Sequence, residues 1–328
     1  MTGTITLVND AQISSANTGT VSGKITGSGA LLKLGNGTTL LSNATNDYTG
    51  GTVVTGGTLI VRGNGVLGAN TVGNDIFISG ASSTTGALTL NGPASIGDNQ
   101  RITLSLAPLG DLNSAVAIGF GAGYGDGSGI HFQSLSESMG TALGGNDIYL
   151  TSSMPGLAGR MAVLLNGNTG FSKDIAAEIA AISPNTQVWL GANLGNGVFT
   201  GSAFSTTNGV LRLGAGGGTL TIKNANVLTG NNALIVGASD QTARAQLGGI
   251  VYLPQAQNYS GSVTVGSGGV LQVGSNAALS TANNTIYLMG GELRLDTAAN
   301  AWNQTDTQYA ARNLEVGGGN SVVRVSSL

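Results

Sequence analysis

The sequence has no cysteine, a single histidine, five prolines and only 8% charged residues, 12 of them basic and 15 acidic. Each scarcity excludes something. Without cysteine there is neither a disulfide framework nor a thiolate metal site, and the redox compartment stays open. A net charge of −3 with no basic cluster leaves no positive patch for nucleic acid. The longest apolar runs, such as Met161 to Leu165, fall far short of the ~20 residues that a membrane-spanning helix needs. Met1-Thr2-Gly3-Thr4-Ile5 offers no basic start followed by an apolar stretch, so no signal peptide is read there. The last residues, Val322 to Leu328, stop inside a strand-like pattern, and we expect a segment of a larger exported protein.

What is abundant is glycine, 56 of 328 residues, more than twice the usual share of about 7%. Disordered glycine-rich linkers are poor in branched apolar residues, whereas 41% of this chain is hydrophobic, enough to bury a core. Thr, Ser and Asn make up much of the rest, and these are residues of sheet faces and turns. The composition is that of an ordered, β-rich protein.

Short apolar/polar alternations run along the chain at Thr4 to Val8, Val53 to Val61, Ala87 to Leu90, Arg101 to Leu106 and Val263 to Val265. Others follow at Val270 to Val273, Thr285 to Leu288 and Glu292 to Leu295. Each is bounded by Gly, Asn or Ser, which predicts short strands and tight turns. Asn-Gly pairs begin at Asn36, Asn64, Asn91, Asn166, Asn196 and Asn208. Such pairs also suit type I′ hairpins, so periodicity alone leaves an antiparallel sandwich open. Phe171 to Ile182 reads as a helix, with Ser172 as N-cap and Ile175, Ile179 and Ile182 on one face, ending before Pro184. The stretch from Ala107 to Pro155 is irregular and rich in glycine. We therefore expect a β-solenoid over 1–106, a decorated and partly helical segment over 107–185, and a second solenoid over 186–328.

Self-comparison carries the strongest signal. Asp47-Tyr48-Thr49-Gly50-Gly51-Thr52-Val53-Val54 matches Asn258-Tyr259-Ser260-Gly261-Ser262-Val263-Thr264-Val265. Gly56-Gly57-Thr58-Leu59-Ile60-Val61 matches Gly268-Gly269-Val270-Leu271-Gln272-Val273. Downstream, Asp75-Ile76-Phe77-Ile78 matches Thr285-Ile286-Tyr287-Leu288, and Ala87-Leu88-Thr89-Leu90 matches Glu292-Leu293-Arg294-Leu295. The order is kept between the copies. One coil of short strands cannot bury its apolar side, but stacked coils merge those sides into a continuous core. At ~20–29 residues per coil the chain would form roughly 11 to 16 rungs.

Val21 to Val61 resembles the autotransporter-associated β-strand repeat of bacterial passenger domains. The likeness rests on Gly27-Ser28-Gly29-Ala30-Leu31-Leu32-Lys33-Leu34-Gly35 and Gly37-Thr38-Thr39-Leu40-Leu41-Ser42. It continues through Asn46-Asp47-Tyr48-Thr49-Gly50-Gly51-Thr52 and Gly56-Gly57-Thr58-Leu59-Ile60-Val61. In the copy around Gln257 to Val273, Ser260 replaces Thr and Ser262 the second Gly. The resemblance implies a right-handed parallel β-helix, secreted or displayed on a bacterial cell surface. It speaks to fold more than to role, because such repeats form a shaft. No membrane-barrel domain of a full family member is read in these residues. A chain without cysteine suits the implied export through an outer-membrane pore.

Candidate chemistry is thin. His131 is the sole histidine, and a zinc site wants several His or Cys ligands. Ser134, Ser136 and Glu137 lie near it, but no nucleophile-elbow motif supports a triad. Tyr124-Gly125-Asp126-Gly127-Ser128-Gly129 has the flavour of a calcium turn but does not recur, and the EF-hand ligand series is absent. Gly214 to Gly218 lacks the Lys-Ser/Thr of a phosphate loop and reads as close packing at a coil corner. Asp98 and Asp111 are acids that stacked rungs would bring together, yet no motif pairs them for glycoside hydrolysis. Trp189 and Trp302 are too far apart in sequence to suggest a sugar platform. Tyr48 and Tyr259 hold equivalent repeat positions and read as structural rings at a turn.

The sequence thus points to an all-β chain without catalytic, cofactor or metal residues. We expect a non-catalytic, structural or adhesive solenoid whose partners are other copies of itself, end to end or laterally, or cell-surface and matrix components. Neither nucleic-acid binding nor membrane insertion of this segment is expected. The alternatives are a carbohydrate-active enzyme or sugar-binding module on the same scaffold, and a phage or filament structural protein.

Overall fold

Strands of three to seven residues that are apolar on one side only must find neighbours about 4.8 Å away to bury that side. The computed structural model describes residues 1–79, 86–91, 96–97, 99–108, 116–121, 131–134, 147–152, 159–182, 184–206, 208–238, 248–280, 284–296 and 312–326. In it strands pair with strands of neighbouring coils. The chain is mostly strand, arranged in long parallel sheets consistent with an all-β parallel solenoid. It divides into two compact units, residues 1–161 with 178–186, and residues 162–177 with 187–328.

The first unit has three ladders. One begins with β1 (Ile5–Leu7) on β4 (Ile25–Gly27) and continues through hydrogen bonds from Asp47 N to Ile25 O and from Thr49 N to Gly27 O. The second stacks β2 (Ala11–Ile13), β5 (Leu31–Lys33), β7 (Thr52–Val54), β9 (Ile76–Ser79) and β11 (Ile102–Pro108). It then adds β14 (Asp147–Ser152) and, outside it, β13 (His131–Ser134), so these two strands stack in the reverse of their chain order. The third stacks β3 (Thr18–Val21), β6 (Thr38–Leu41), β8 (Gly57–Arg62), β10 (Gly86–Asn91) and β12 (Val116–Gly121). Every pairing within these ladders is parallel. A short antiparallel contact joins Ala107 and Pro108 to Arg160 and Gly159 of β15 (Gly159–Phe171).

Because the register is kept from rung to rung, like residues stack. Thr18, Thr38 and Thr58 form an outward column, while Val21, Leu41, Val61, Leu90 and Phe120 form an inward one that is buried throughout. A register slip of one residue would exchange the two sides, so the apolar pattern itself pins the pairing.

The second unit follows the same plan. β16 (Gln187–Phe199) turns a corner within its 13 residues and serves two ladders. Its Leu190 pairs with Leu213 of β17 (Val210–Leu213), and Asn196 to Phe199 pair with β18 (Thr219–Ile222). From β17 the first ladder runs through β20 (Ala233–Val236), β23 (Val263–Gly266), β25 (Ile286–Met289) and β27 (Leu314–Val316). From β18 the other runs through β21 (Gly249–Leu253), β24 (Gly269–Val273), β26 (Glu292–Asp296) and β28 (Val322–Ser326). A third, short ladder pairs β19 (Thr229–Gly230) with β22 (Asn258–Tyr259).

One α-helix is described, α1 (Ile175–Ile182), with Ile175 and Ile179 fully buried and Ile182 partly so. It starts later than the sequence pattern suggests. Asp174, and not Ser172, takes the cap position: its Oδ1 accepts from Ala177 N at 3.3 Å, and its carboxylate also accepts from Ser205 N and Oγ. An acid at that place satisfies a free N–H and suits the helix dipole. Among the described residues no helix is long and apolar enough to cross a membrane.

Among the described residues the Asn-Gly pairs do not make hairpins. Asn36-Gly37 connects β5 to β6, which belong to different ladders, and Gly37 is needed because a Cβ there would lie 1.9 Å from Ser15 O of the previous coil. Asn208 and Gly209 both have positive φ, at 56° and 71°, yet they lead into β17 and not back along a partner strand. The turn chemistry is local, whereas the choice of partner is made by the stacked cores. The antiparallel sandwich is therefore set aside.

The repeat has a structural counterpart. In the first copy Thr52 faces Ile76 and Leu59 faces Leu88; in the second, the matching Val263 faces Ile286 and Leu271 faces Leu293. Both copies thus keep the same strand order and the same register.

Candidate functional surface

Buried amide side chains inside the coils bond to backbone groups at the corners. Tyr48 and Tyr259 are both fully buried. Beside Tyr48, Asn46 Oδ1 accepts from Ile25 N at 2.8 Å while its Nδ2 donates to Val66 O at 2.9 Å. At the equivalent place in the second copy, Gln257 Oε1 accepts from Val227 N and Leu228 N, and its Nε2 donates to Asn224 O. Asn74 accepts from Gly51 N and donates to Tyr48 O and Ala69 O; its counterpart Asn284 donates to Gly261 O and Leu279 O. Gln100 Nε2 donates to Leu67 O and Asn74 O. These amides satisfy backbone groups that the corners would otherwise strand without partners.

Lys33 is the unexpected member of this set. It is fully buried and stacks in an inward column between Ile13 and Val54. Its Nζ donates to Leu34 O at 2.9 Å, Gly35 O at 3.1 Å and Gly56 O at 3.0 Å. Burial pushes its pKa below the ordinary 10.5, while the three carbonyls favour the charged form. The ammonium serves as a tethered cation that ties two coil corners together.

The residues singled out from the sequence fare differently. Trp189 is buried, with Arg212 stacked 5.4 Å from its ring centroid, so it offers no sugar platform. Gly214, Gly216 and Gly217 all have positive φ, and a Cβ on Gly216 would lie 2.5 Å from Ala192 O, so close packing accounts for this run. The His131 backbone pairs with Asp147 in the β13–β14 ladder; the side chains of β13, Ser134 included, lie outside the described residues. Ser136, Glu137, Asp98, Asp111, Trp302 and the Tyr124–Gly129 turn also fall outside them. Among the described residues there is no group of three or more His, Cys, Asp or Glu placed to hold a metal.

On the outer face of the second unit, Glu292 accepts from Arg294 Nε and from Arg324 Nε, both at 2.7 Å. The Arg294 hydrogen bond leads in holding the Glu292 carboxyl below the ordinary range, and Arg324 adds to it. In the first unit Lys24 and Asp47 pair across a rung at 2.7 Å, and that hydrogen bond holds Asp47 low.

Among the described residues, exposed large apolar side chains cluster at one rung. Among the described residues β27 pairs with β25 alone and β28 with β26 alone. Their inward columns continue those of Ile286, Leu288 and Leu293, which are 3%, 0% and 4% exposed. The last members, Leu314, Val316 and Val323, stand 46%, 63% and 47% exposed, and Val325 stands 65% exposed. A buried core thus surfaces at one rung, beside two strand edges that have no second strand partner among the described residues. Val8, Val72 and Phe77 are exposed too, but singly, which is ordinary for a protein surface. Lys33 was given no role from the sequence, whereas unpaired strand edges at the ends of the stack are what a solenoid of short strands leads one to expect. Lys33 shares its strand face with Leu31, a parity signal for an inward side chain.

No protein-family model, no curated protein and no solved structure matches the chain.

Proposed function

We propose that this chain is a non-catalytic structural or adhesive segment of a bacterial surface or secreted protein, able to associate with copies of itself. In this reading it is a right-handed parallel β-helix carrying an irregular, partly helical insertion in its middle third. The right hand follows from the general handedness of parallel crossover connections. The resemblance of Val21 to Val61 to the autotransporter-associated repeat supports export and display.

One observation carries the reading: the two repeat copies share strand order and register, and their buried polar groups serve the coil corners. Asn46, Asn74, Gln257 and Asn284 each bond backbone from neighbouring coils. A scaffold that commits its interior amides and its buried lysine to holding rungs is built to persist as a shaft. The test is labelling of intact source cells with an antibody raised against the purified chain. Labelling of unbroken cells, or of their medium, is expected; labelling only after lysis would overturn the assignment to the surface.

A further inference from the structure

An Asn-Gly pair carries its own nucleophile. The glycine nitrogen, unhindered by a Cβ, can reach the asparagine amide carbon and close a succinimide ring. In a folded chain the pair alone is not enough. The glycine N–H must be free, and the peptide between the two residues must have room to rotate.

The Asn-Gly pairs of this chain differ in these respects. Asn36 is exposed, but Gly37 is buried and clamped: Ser15 O lies 1.9 Å from the place of a Cβ, and Gly37 O accepts from Thr58 N at 3.2 Å. At Asn64 the nucleophile is engaged, because Gly65 N donates to Arg62 O at 3.1 Å. Asn196 and Gly197 lie within β16 and pair with Thr219 and Leu220 of β18, so rotation there would break the ladder. The side chains of Asn91 and Asn166 lie outside the described residues. Asn208-Gly209 meets both conditions. Both residues are exposed, and their φ values of 56° and 71° suit the centre of a type I′ turn just ahead of β17. Gly209 N donates no hydrogen bond among the described residues. A Cβ on Gly209 would find its nearest atom, beyond its chain neighbours, in Asn232 Oδ1 at 3.9 Å.

We propose that Asn208 is a site of spontaneous covalent modification, converted by water to aspartate and isoaspartate. Gly209 N attacks the side-chain amide carbon of Asn208. The new C–N bond forms as the old one breaks, and the side-chain nitrogen departs as ammonia with the proton that Gly209 N gives up. Water then opens the ring. Opening at the side-chain carbonyl leaves aspartate; opening at the backbone carbonyl leaves isoaspartate, whose main chain is longer by a carbon atom. Either product adds a negative charge. The longer chain enters β17 where Gly209 O accepts from Ala233 N at 3.0 Å, so isoaspartate loosens β17 against β20. The reaction needs no enzyme and does not return to asparagine, so the turn records the age of the folded chain.

The full chain is held folded in mildly alkaline buffer, beside a sample unfolded in urea. Both are sampled over weeks by peptide mass mapping and isoelectric focusing. In urea the Asn-Gly pairs convert at similar rates. In the folded chain Asn208 is expected to convert at least about tenfold faster than Asn36, Asn64 or Asn196, the factor for a local opening of about 1.4 kcal/mol at the clamped sites. Asn208→Gly, which suits a positive φ, should stay folded by circular dichroism and lose the acidic band that tracks conversion at this position. Conversion at Asn36, Asn64 or Asn196 as fast as at Asn208 overturns the proposal. So does an Asn208 peptide that stays intact in the folded chain while it converts in urea.

Discussion

Two tyrosines at equivalent places should respond in opposite ways to loss of their hydroxyls. Tyr48 Oη lies 2.7 Å from Thr52 Oγ1, and both residues are buried. In the second copy Thr52 is replaced by Val263, and the equally buried Tyr259 Oη has no partner at hydrogen-bond geometry among the described residues, the Asn284 side chain being the polar group close by. Asn284 beside it has spent its amide group on Gly261 O and Leu279 O, and its oxygen accepts from Arg312. Burial raises the pKa of both phenols, so both are neutral at any ordinary pH and the comparison is of hydroxyls alone. Tyr48→Phe removes a made bond and strands the Thr52 hydroxyl, at a cost of about 1–2 kcal/mol. Tyr259→Phe removes a hydroxyl that was already desolvated without compensation, so the change should run from neutral to about 1 kcal/mol of stabilisation. Urea titration followed by circular dichroism reads each midpoint at unchanged slope. Repeat proteins can unfold in stages, so amide exchange around Thr52 and Val263 supplies the local measure. A double-mutant cycle with Thr52→Val should return a coupling of about 1 kcal/mol. If Tyr259→Phe costs as much as Tyr48→Phe, the assignment of hydrogen bonds at these corners is wrong.

Lys33→Met should destabilise the first unit by about 2–4 kcal/mol: three charge-assisted bonds are lost, partly offset by relief of ammonium desolvation. A denaturation midpoint at or above that of the parent would show that the cation is not a tie. Asn74→Ala deprives Gly51 N, Tyr48 O and Ala69 O of their partner and should cost about 2–4 kcal/mol, against less than about 0.5 for Asn43→Ala, whose bond to Ser22 O is exposed. The same denaturation series ranks the two, and equal losses would refute the distinction. Glu292 titrates lower in the fold than its ordinary 4.5, so between those values the unfolded chain binds more protons and stability falls as pH drops. Its contribution is complete above pH 4.5 and is lost as pH falls through the folded value. The protection factors of the β28 amides, which are corrected for the intrinsic pH dependence of exchange, should therefore fall on acidification below pH 4.5, and should not do so in Glu292→Gln.

Much of the strand content was legible because the signal is local. Leu59 and Leu271 sit two residues after a Gly-Gly pair, and period-2 parity there points them inward in both copies. What was not legible depends on choices made between distant segments. Asn36-Gly37 has the chemistry of a hairpin turn, and only the core below decides that β6 pairs with β3 and β8 instead of β5. Nothing in the β13 or β14 sequences says that β14 lies between β11 and β13. The helix cap was misplaced by two residues because Ser172 and Asp174 are both good cap residues. Ser205, 31 residues further on, helps to fix the second. The charge of Lys33 carries no sign of its burial, whereas its parity with Leu31 points it inward.

The open rung follows from the same economy that keeps the sequence so poor in charge. In a stack, each coil is stabilised by its own bonds and by the interfaces on its two sides. A coil such as β25–β26 has both, and Leu293 is 4% exposed; β27–β28 has one, and Val323 is 47% exposed. A globular surface would blunt such an edge with inward charge, proline or a covering loop. Here the inward columns of β27 and β28 are filled by Leu and Val, and the charged groups, Glu315 and Arg324, point outward with Arg324 engaged by Glu292. An edge left apolar in its columns and uncharged toward the core gains most when another coil of the same register covers it.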